Sequence, residues 1–320
     1  MARILTPDVI DFAAYERETE AQRKVLPAGE WLQEMIAGLG KPQLKVQSHL
    51  PWVKARDLFT FRPGEVTLWA GVNGHGKSMM TSMVALSLLT QGERCCIASF
   101  EMKPVRTLER MARQFSQQRP PGELETNAEV IGLFREIFEQ MAGLAEDRLW
   151  LYDQQGTVAT VTILGVMRYA ARELKCTHFF VDSLMKCVKG EDDYNGQKDF
   201  VDEITAIARD TGMHVHLVHH LRKLGAETQT PDKSDVKGSG SITDQVDNLL
   251  LVWRNKAKER DRQTGKKVDD SQPDAKLICE KQRNGEWEGR LNLWFDAESQ
   301  QYLPSAGTDL LNFAAWPHER

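Results

Sequence analysis

The octapeptide GVNGHGKS, Gly71 to Ser78, constrains the fold more tightly than any other stretch of the chain. Gly71, Gly76, Lys77 and Ser78 fall at the spacing G-x-x-x-x-G-K-[ST]. Glycines at these places let the backbone curl so that successive N–H groups point inward at one anion. A lysine there reaches the β- and γ-phosphates, and the serine hydroxyl is a Mg²⁺ ligand. Before the loop, EVTLWAG reads as a short buried strand; after it, SMMTSMVALSLLTQG reads as a helix that stops near Gly92. A helix that opens at the loop adds its positive end to the cradle. The motif therefore predicts a site for ATP or another nucleoside triphosphate with Mg²⁺. Its residues are Gly71, Val72, Asn73, Gly74, His75, Gly76, Lys77, Ser78 and Met79. His75 occupies a free position of the motif and is expected to face solvent.

The 320 residues allow one large α/β domain with an appendage, or two small domains. The net charge of −5 does not advertise a nucleic-acid partner, so any basic surface has to be local. No apolar run reaches membrane-spanning length, and the N-terminus MARILTPDVIDF lacks a signal-peptide core, so no membrane partner is expected. Cys95, Cys96, Cys176, Cys187 and Cys279 form no C-x-x-C pair, which argues against zinc and fits a reduced, cytoplasmic setting.

Three segments follow. Residues 1–45 are expected to be a helical linker, with Leu32, Met35, Ile36 and Leu39 on one stripe that packs on its own domain or on a neighbouring subunit. Residues 46–303 hold the α/β domain, and 304–320 form a polar tail with Phe313 and Trp316, expected to be disordered. Within the domain the strand candidates are EVTLWAG, RCCIASF, RLWLYD, THFFVDS, HVHLVHH, NLLLVWR, AKLICEK and GRLNLWF. Helix candidates such as TVTILGVMRYAARELK and KDFVDEITAIARDTG lie between them. That alternation predicts a mostly parallel sheet with helices on both faces, and an antiparallel edge at the end. Segments 186–198 and 222–240 read as loops, and 255–274 as a charged hairpin or mobile loop.

Asp182 ends the apolar strand THFFVDS, where a carboxylate holds Mg²⁺ through water; a plain strand-ending aspartate is the simpler reading. Glu101 in ASFEM falls beside the cradle, where hydrolysis needs a base or a water-positioning group; it also suits a helix N-terminus. His219 and His220 end another strand and point to opposite faces, so one of them looks at the nucleotide.

The segments SFEM, HHLRK, DVKGSGSITDQVDNLLLVWRNK and EKQRNG occur in that order. With them the sequence, from about residue 50 to about 297, resembles the DnaB-like hexameric replicative helicases, a group that includes the phage primase–helicases and the mitochondrial Twinkle helicase. The resemblance implies a RecA-like P-loop NTPase core and a homo-hexameric ring with ATP sites at the subunit boundaries. It makes Glu101 the catalytic glutamate, Asp182 the Mg²⁺-linked aspartate and His220 the phosphate sensor. Lys281 and Arg283, expected to alternate on one strand and point the same way, become the basic pair inserted into the neighbour's site; a basic strand edge exposed to solvent is the lesser alternative. Arg254 and Phe295 are implied to sandwich the base. Lys237, Gly238 and Ser239 match the central DNA-binding loop, flanked by Arg222, Lys223 and Lys233; Lys186 and Lys189 supply a second loop. A channel that tracks the backbone of single-stranded DNA needs only such local charge.

Two departures stand out. Relatives carry Gln shortly after the GSG loop, where this chain has Asp244 and then Gln245. The stretch before residue 45 is too short for a primase, a zinc module or a helical N-terminal domain, so priming is expected from a separate primase, alongside a polymerase or single-strand-binding protein. The expected activity is ATP-driven unwinding in the host cytoplasm if the chain is phage-encoded. The alternatives are a RecA/RadA-type recombinase and a regulatory or loading ATPase without unwinding activity. Lys77→Ala is expected to abolish nucleotide-dependent activity; full NTP turnover by that variant contradicts the cradle.

Overall fold

A computed structural model describes residues 3–5, 36, 48–122, 126–190, 192–222, 225, 229–238 and 240–314. The strand order of the main ten-stranded sheet is β1-β6-β5-β7-β8-β4-β9-β10-β11-β12. Its members are β1 (Arg3–Leu5), β4 (Val66–Gly71), β5 (Cys95–Ser99), β6 (Leu149–Tyr152), β7 (His178–Asp182), β8 (His214–His220), β9 (Asn248–Arg254), β10 (Ala275–Gln282), β11 (Gly289–Phe295) and β12 (Tyr302–Leu303). A separate two-stranded ribbon pairs β2 (Ser48–His49) with β3 (Thr60–Phe61). Pairing is parallel from β1 to β9 and antiparallel from β9 to β12, so the antiparallel edge expected at the end of the chain is present.

The central strands are buried throughout because helices cover both faces. On one face lie α1 (Lys77–Thr90), α2 (Pro104–Ser116) and α3 (Ala128–Ala145), which bury Met80, Met83, Met111, Phe115 and Met141 against Trp69 and Phe180. On the other lie α4 (Thr160–Arg172), α5 (Tyr194–Thr211) and the short α6 (Gly240–Gln245), with Ile163, Met167, Phe200, Ile204 and Ile242 packed on Leu68 and Val181. Among the described residues no helix is long and apolar enough to cross a membrane.

Four expectations need correction. Residues 255–274 are not a hairpin or mobile loop but begin with α7 (Lys256–Gln263). Asn255 caps this helix by accepting from Lys258 N, and a Lys258–Asp274 ion pair of 3.0 Å holds the return. The 186–198 loop ends early, because Asp193 accepts from Gly196 N at 3.0 Å and starts α5 at Tyr194. Arg3–Leu5, placed in the helical linker by sequence, is a strand paired with Trp150–Tyr152. The expected disordered tail is docked up to residue 314: Phe313 is buried, and the Gln301 amide exchanges hydrogen bonds with the Leu311 backbone. Leu32, Met35, Leu39 and Trp316 lie outside the described residues, and Ile36 is helical and exposed.

Three histidines cluster inside the sheet, and two of them form a directed hydrogen-bond chain. Trp69 Nε1–H donates to His216 Nδ1 at 3.2 Å, so the His216 proton sits on Nε2 and goes to His178 Nδ1 at 3.0 Å. His178 Nε2–H reaches Ser48 Oγ at 3.2 Å, and that hydroxyl donates to Glu93 at 2.6 Å. His214 donates from Nδ1 to Arg62 O and accepts at Nε2 from Thr67. Each ring is therefore neutral with one tautomer. Burial pushes His214 down to about 4 and holds His178 and His216 well below the ordinary value, with neighbouring imidazoles adding to it. The unfolded chain takes up these protons below about pH 6.5 while the fold refuses them. Stability is full above that pH and falls below it, by up to about 1.4 kcal/mol per pH unit for each histidine. Denaturant unfolding at pH 7, 6 and 5 is expected to show that decline; a flat profile contradicts the neutral chain.

Candidate functional site

The cradle grows out of the carboxyl end of β4. A side chain at Gly71 would stand 2.7 Å from Val252 O and 3.0 Å from Lys77 Cγ, so only glycine fits. Gly74 and Gly76 take φ of 77° and 84°, the left-handed region, and a Cβ on Gly76 would strike the Tyr302 hydroxyl. The turn closes with His75 N donating to Val72 O at 3.1 Å, and α1 begins at Lys77. Lys77 Nζ is buried and donates to Gly71 O at 2.8 Å and Val72 O at 3.3 Å. Burial lowers its pKa to about 8, against the pull of Asp182 and Glu101. A phosphate offers that ammonium charged acceptors in place of two neutral carbonyls.

His75 does not face solvent as expected. It is 7% exposed, and its Nδ1 accepts the backbone N–H of Arg254 at 3.2 Å. Burial, then Lys256, Lys77 and Arg254, push it down to about 4, so it is a neutral brace between the loop and the end of β9.

Asp182 pairs in register with Ser99 at the end of β7 and hydrogen-bonds the Ser78 hydroxyl. Burial raises its pKa and Glu101 adds to that, while Ser78, Lys77 and Arg110 pull it down. A serine hydroxyl and a carboxylate at a helix N-terminus are hard oxygen donors that leave room for waters, the set Mg²⁺ prefers. Glu101 is exposed just after β5. His220 ends β8 in register with Gly71. Val72, Asn73, Glu101 and His220 line one cavity of about 800 Å³ together with Lys186, Arg222 and Lys237. The structure thus brings three of the expected DNA-binding cations to the same space as two of the expected catalytic residues, Glu101 and His220. Lys189 and Lys233 are exposed and do not line it. Lys223 and Ser239 lie outside the described residues.

His219 points away from that cavity and has a different task. It is fully buried, and its Nε2–H donates to Lys237 O at 2.6 Å. Lys237 N–H returns to His220 O at 3.1 Å, Arg222 N–H reaches Asp235 O at 2.8 Å, and Leu221 bridges Val236. The loop is stitched to the strand that carries His220. Gly238 takes φ 99°, and a Cβ there would strike the Gln197 amide of α5 and approach Ile242 to 3.2 Å. The sequence pattern marks the histidine pair but not this fastening, because the pairing joins residues across the loop.

Lys281 lies on β10, but Arg283 sits one place past its end rather than on the strand, after a bulge between Cys279 and Lys281. Both point at the end of α6. Lys281 Nζ donates to the carbonyls of Thr243 (2.9 Å), Asp244 (2.8 Å) and Val246 (2.8 Å). Arg283 pairs with Asp247 at 2.9 Å and donates to Asp244 O at 3.0 Å. Gln282 is in register with Asn248, which in turn faces Thr67 at the start of β4. The pair therefore lies at the opposite edge of the sheet from this chain's own cradle. Gln245 binds Asp202 of α5 at 2.7 Å, and the Asp244 side chain is exposed.

Arg254 and Phe295 do not stand apart as a sandwich. The guanidinium lies 4.7 Å from the ring centroid and pairs with Glu259 at 3.1 Å. A half-buried cation takes the nearest π face and carboxylate, so a base enters only when the two part. Tyr302 escaped sequence reading altogether: it is fully buried under Gly76, and burial pushes its hydroxyl up to about 12.

Residues 56–303 match the family model of the DnaB-like helicase C-terminal domain. A solved structure of a DnaB-like replicative helicase, described with its interactions with primase, is 15% identical, with a TM-score of 0.69 over 88% of this chain and 67% of that one. The ATPase domain of G40P is 17% identical, with a TM-score of 0.70 over 88% of this chain and 99% of that one. At such identities the structural likeness is one of fold.

His219→Leu keeps the burial and removes the Lys237 clasp. Limited proteolysis is expected to cut 222–238 faster in this variant than in the wild type; equal rates contradict the clasp.

Proposed function

Because the chain belongs to the DnaB-like helicase C-terminal domain family, we propose that it is an ATP-driven ring motor of six copies that moves 5′→3′ on single-stranded DNA and unwinds duplex at a fork. Lys77 and the loop N–H groups hold the β- and γ-phosphates. Ser78 and Asp182 are the residues that would hold Mg²⁺, which would supply charge neutralisation to the phosphates. Glu101 orients the attacking water and takes its proton. His220 stands next to Gly71 in register and reads the γ-phosphate. Its strand carries the loop of Lys237, so loss of that phosphate moves a DNA contact. Lys186, Arg222 and Lys237 hold the DNA backbone without reading its sequence.

The observation that carries this reading is the shared cavity, where Glu101 and His220 meet Lys186, Arg222 and Lys237. Supporting the ring is the position of Lys281 and Arg283, which are out of reach of their own cradle and so serve a neighbour's. An arginine supplied from a partner in this way raises phosphoryl-transfer rates by about 10³–10⁵. A separate primase, a polymerase and a single-strand-binding protein are the partners the reading calls for, in the cytoplasm, of the host if the chain is phage-encoded.

A forked duplex with Mg-ATP tests the proposal. Displacement is expected from forks with a 5′ single-stranded arm for loading and not from duplexes that have only a 3′ arm. Strand exchange with open filaments indicates a recombinase instead, and ATP turnover without displacement indicates a loading ATPase.

A further inference from the structure

The helix α2, which follows Glu101, turns one polar stripe inward. Thr107 and Gln114 are buried on it, and Arg110 is half-buried between them. The Arg110 side chain lines a small cavity of about 20 Å³ behind the nucleotide site, with Ser78, Ser99, Met102, Thr107 and Asp182 on its other walls. Arg110 Nη2–H donates to Met102 Sδ at 3.0 Å. A thioether is a weak acceptor; Asp182 stands on another wall of the same cavity, beyond direct ion-pair distance, and attracts the guanidinium across it. That space suits one water, with a guanidinium, a carboxylate and hydroxyls as partners. Nothing in the function proposed above uses this cation, yet burying one without a task is costly.

We propose that Arg110 is a positioning residue of the nucleotide site, steadying the Asp182 carboxylate toward Ser78 across the water-sized cavity they share and holding the Glu101–Met102 turn through the methionine sulfur. The inference rests on reading Asp182 as the Mg²⁺-linked carboxylate and Glu101 as the catalytic one. A carboxylate with a fixed partner behind it keeps one oxygen aimed at the ion, and loss of such a partner typically costs 10–100-fold in metal affinity. The planar fork of arginine reaches the sulfur with one nitrogen and leaves other donors facing the cavity; a lysine ammonium keeps the charge and loses the fork.

The test reads Mg²⁺ dependence rather than turnover alone. A fluorescent ATP analogue is titrated onto the full chain at fixed concentration while Mg²⁺ is varied, for the wild type, Arg110→Gln, Arg110→Lys and Asp182→Asn. Arg110→Gln is expected to raise the Mg²⁺ needed for half-maximal binding by about tenfold. Arg110→Lys is expected to stay within about threefold of the wild type in that measure while its kcat falls and its KM holds, because the charge remains and the methionine tether is lost. Wild-type Mg²⁺ dependence in a folded Arg110→Gln overturns the inference, as does a lysine variant as impaired as the glutamine one, which indicates packing alone. If the glutamine variant does not fold, the lysine variant decides by the same two numbers. Asp182→Asn separates the premises: if it leaves the Mg²⁺ dependence unchanged, the metal reading of Asp182 falls and this inference with it. If only the Arg110 variants are normal, the metal reading stands and the role of Arg110 is refuted.

Discussion

The parallel pairing of β4 with β8 on one side and β9 on the other sets everything else in place. It puts Gly71 beside His220 and Ala70 beside Leu251, so the cradle, His220 and Arg254 leave the sheet at one edge. Parallel strands expose their carboxyl ends together, and the loops there are free to carry chemistry. Pairing of β5 with β7 adds Ser99 and Asp182 to the same edge, and Glu101 two residues on. Five separate strands, β4, β5, β7, β8 and β9, thus converge through pairings that are distant in sequence.

The same frame ties the end of β8 beside the cradle to the Lys237 loop. His219 and His220 are adjacent on β8 and face opposite ways. One looks into the cavity; the other grips the backbone of Lys237. A shift at the end of β8 reaches both. The far edge carries a second device. The C-terminal carbonyls of α6 and the buried Asp247 draw Lys281 and Arg283 inward, as the negative end of a helix draws cations. Since α6 follows the Lys237 loop directly, the basic pair and that loop are mechanically adjacent. A partner that pulls Arg283 toward its own phosphates pulls against α6.

How much of this was legible varied with range. The apolar runs and the alternation of strand and helix announce the sheet, because a strand buried on both faces has no other composition. The P-loop announces its own turn, because its glycines are demanded by φ and by Val252 and Tyr302. What stayed hidden depends on residues far apart in the chain. His75 looks like a free loop position until Arg254, at the end of β9, supplies its backbone donor. Tyr302 and Arg110 sit in ordinary local patterns and matter only because the fold sets them against Gly76 and Asp182. Charge misled in 255–274: lysines, arginines and aspartates suggest a solvated loop, yet Asn255 and the Lys258–Asp274 pair give that segment a capped helix.

The central claim is that hydrolysis happens between copies, with the cradle from one and the cationic pair from the next. Mixing two inactive variants, Lys77→Ala and Arg283→Ala, in equal amounts tests it most directly. Where an Arg283→Ala copy offers its intact cradle to a Lys77→Ala neighbour with an intact arginine, a complete site forms. The account predicts that DNA-stimulated ATP turnover reappears in the mixture at a substantial fraction of the wild-type rate. A mixture as dead as its two components contradicts it.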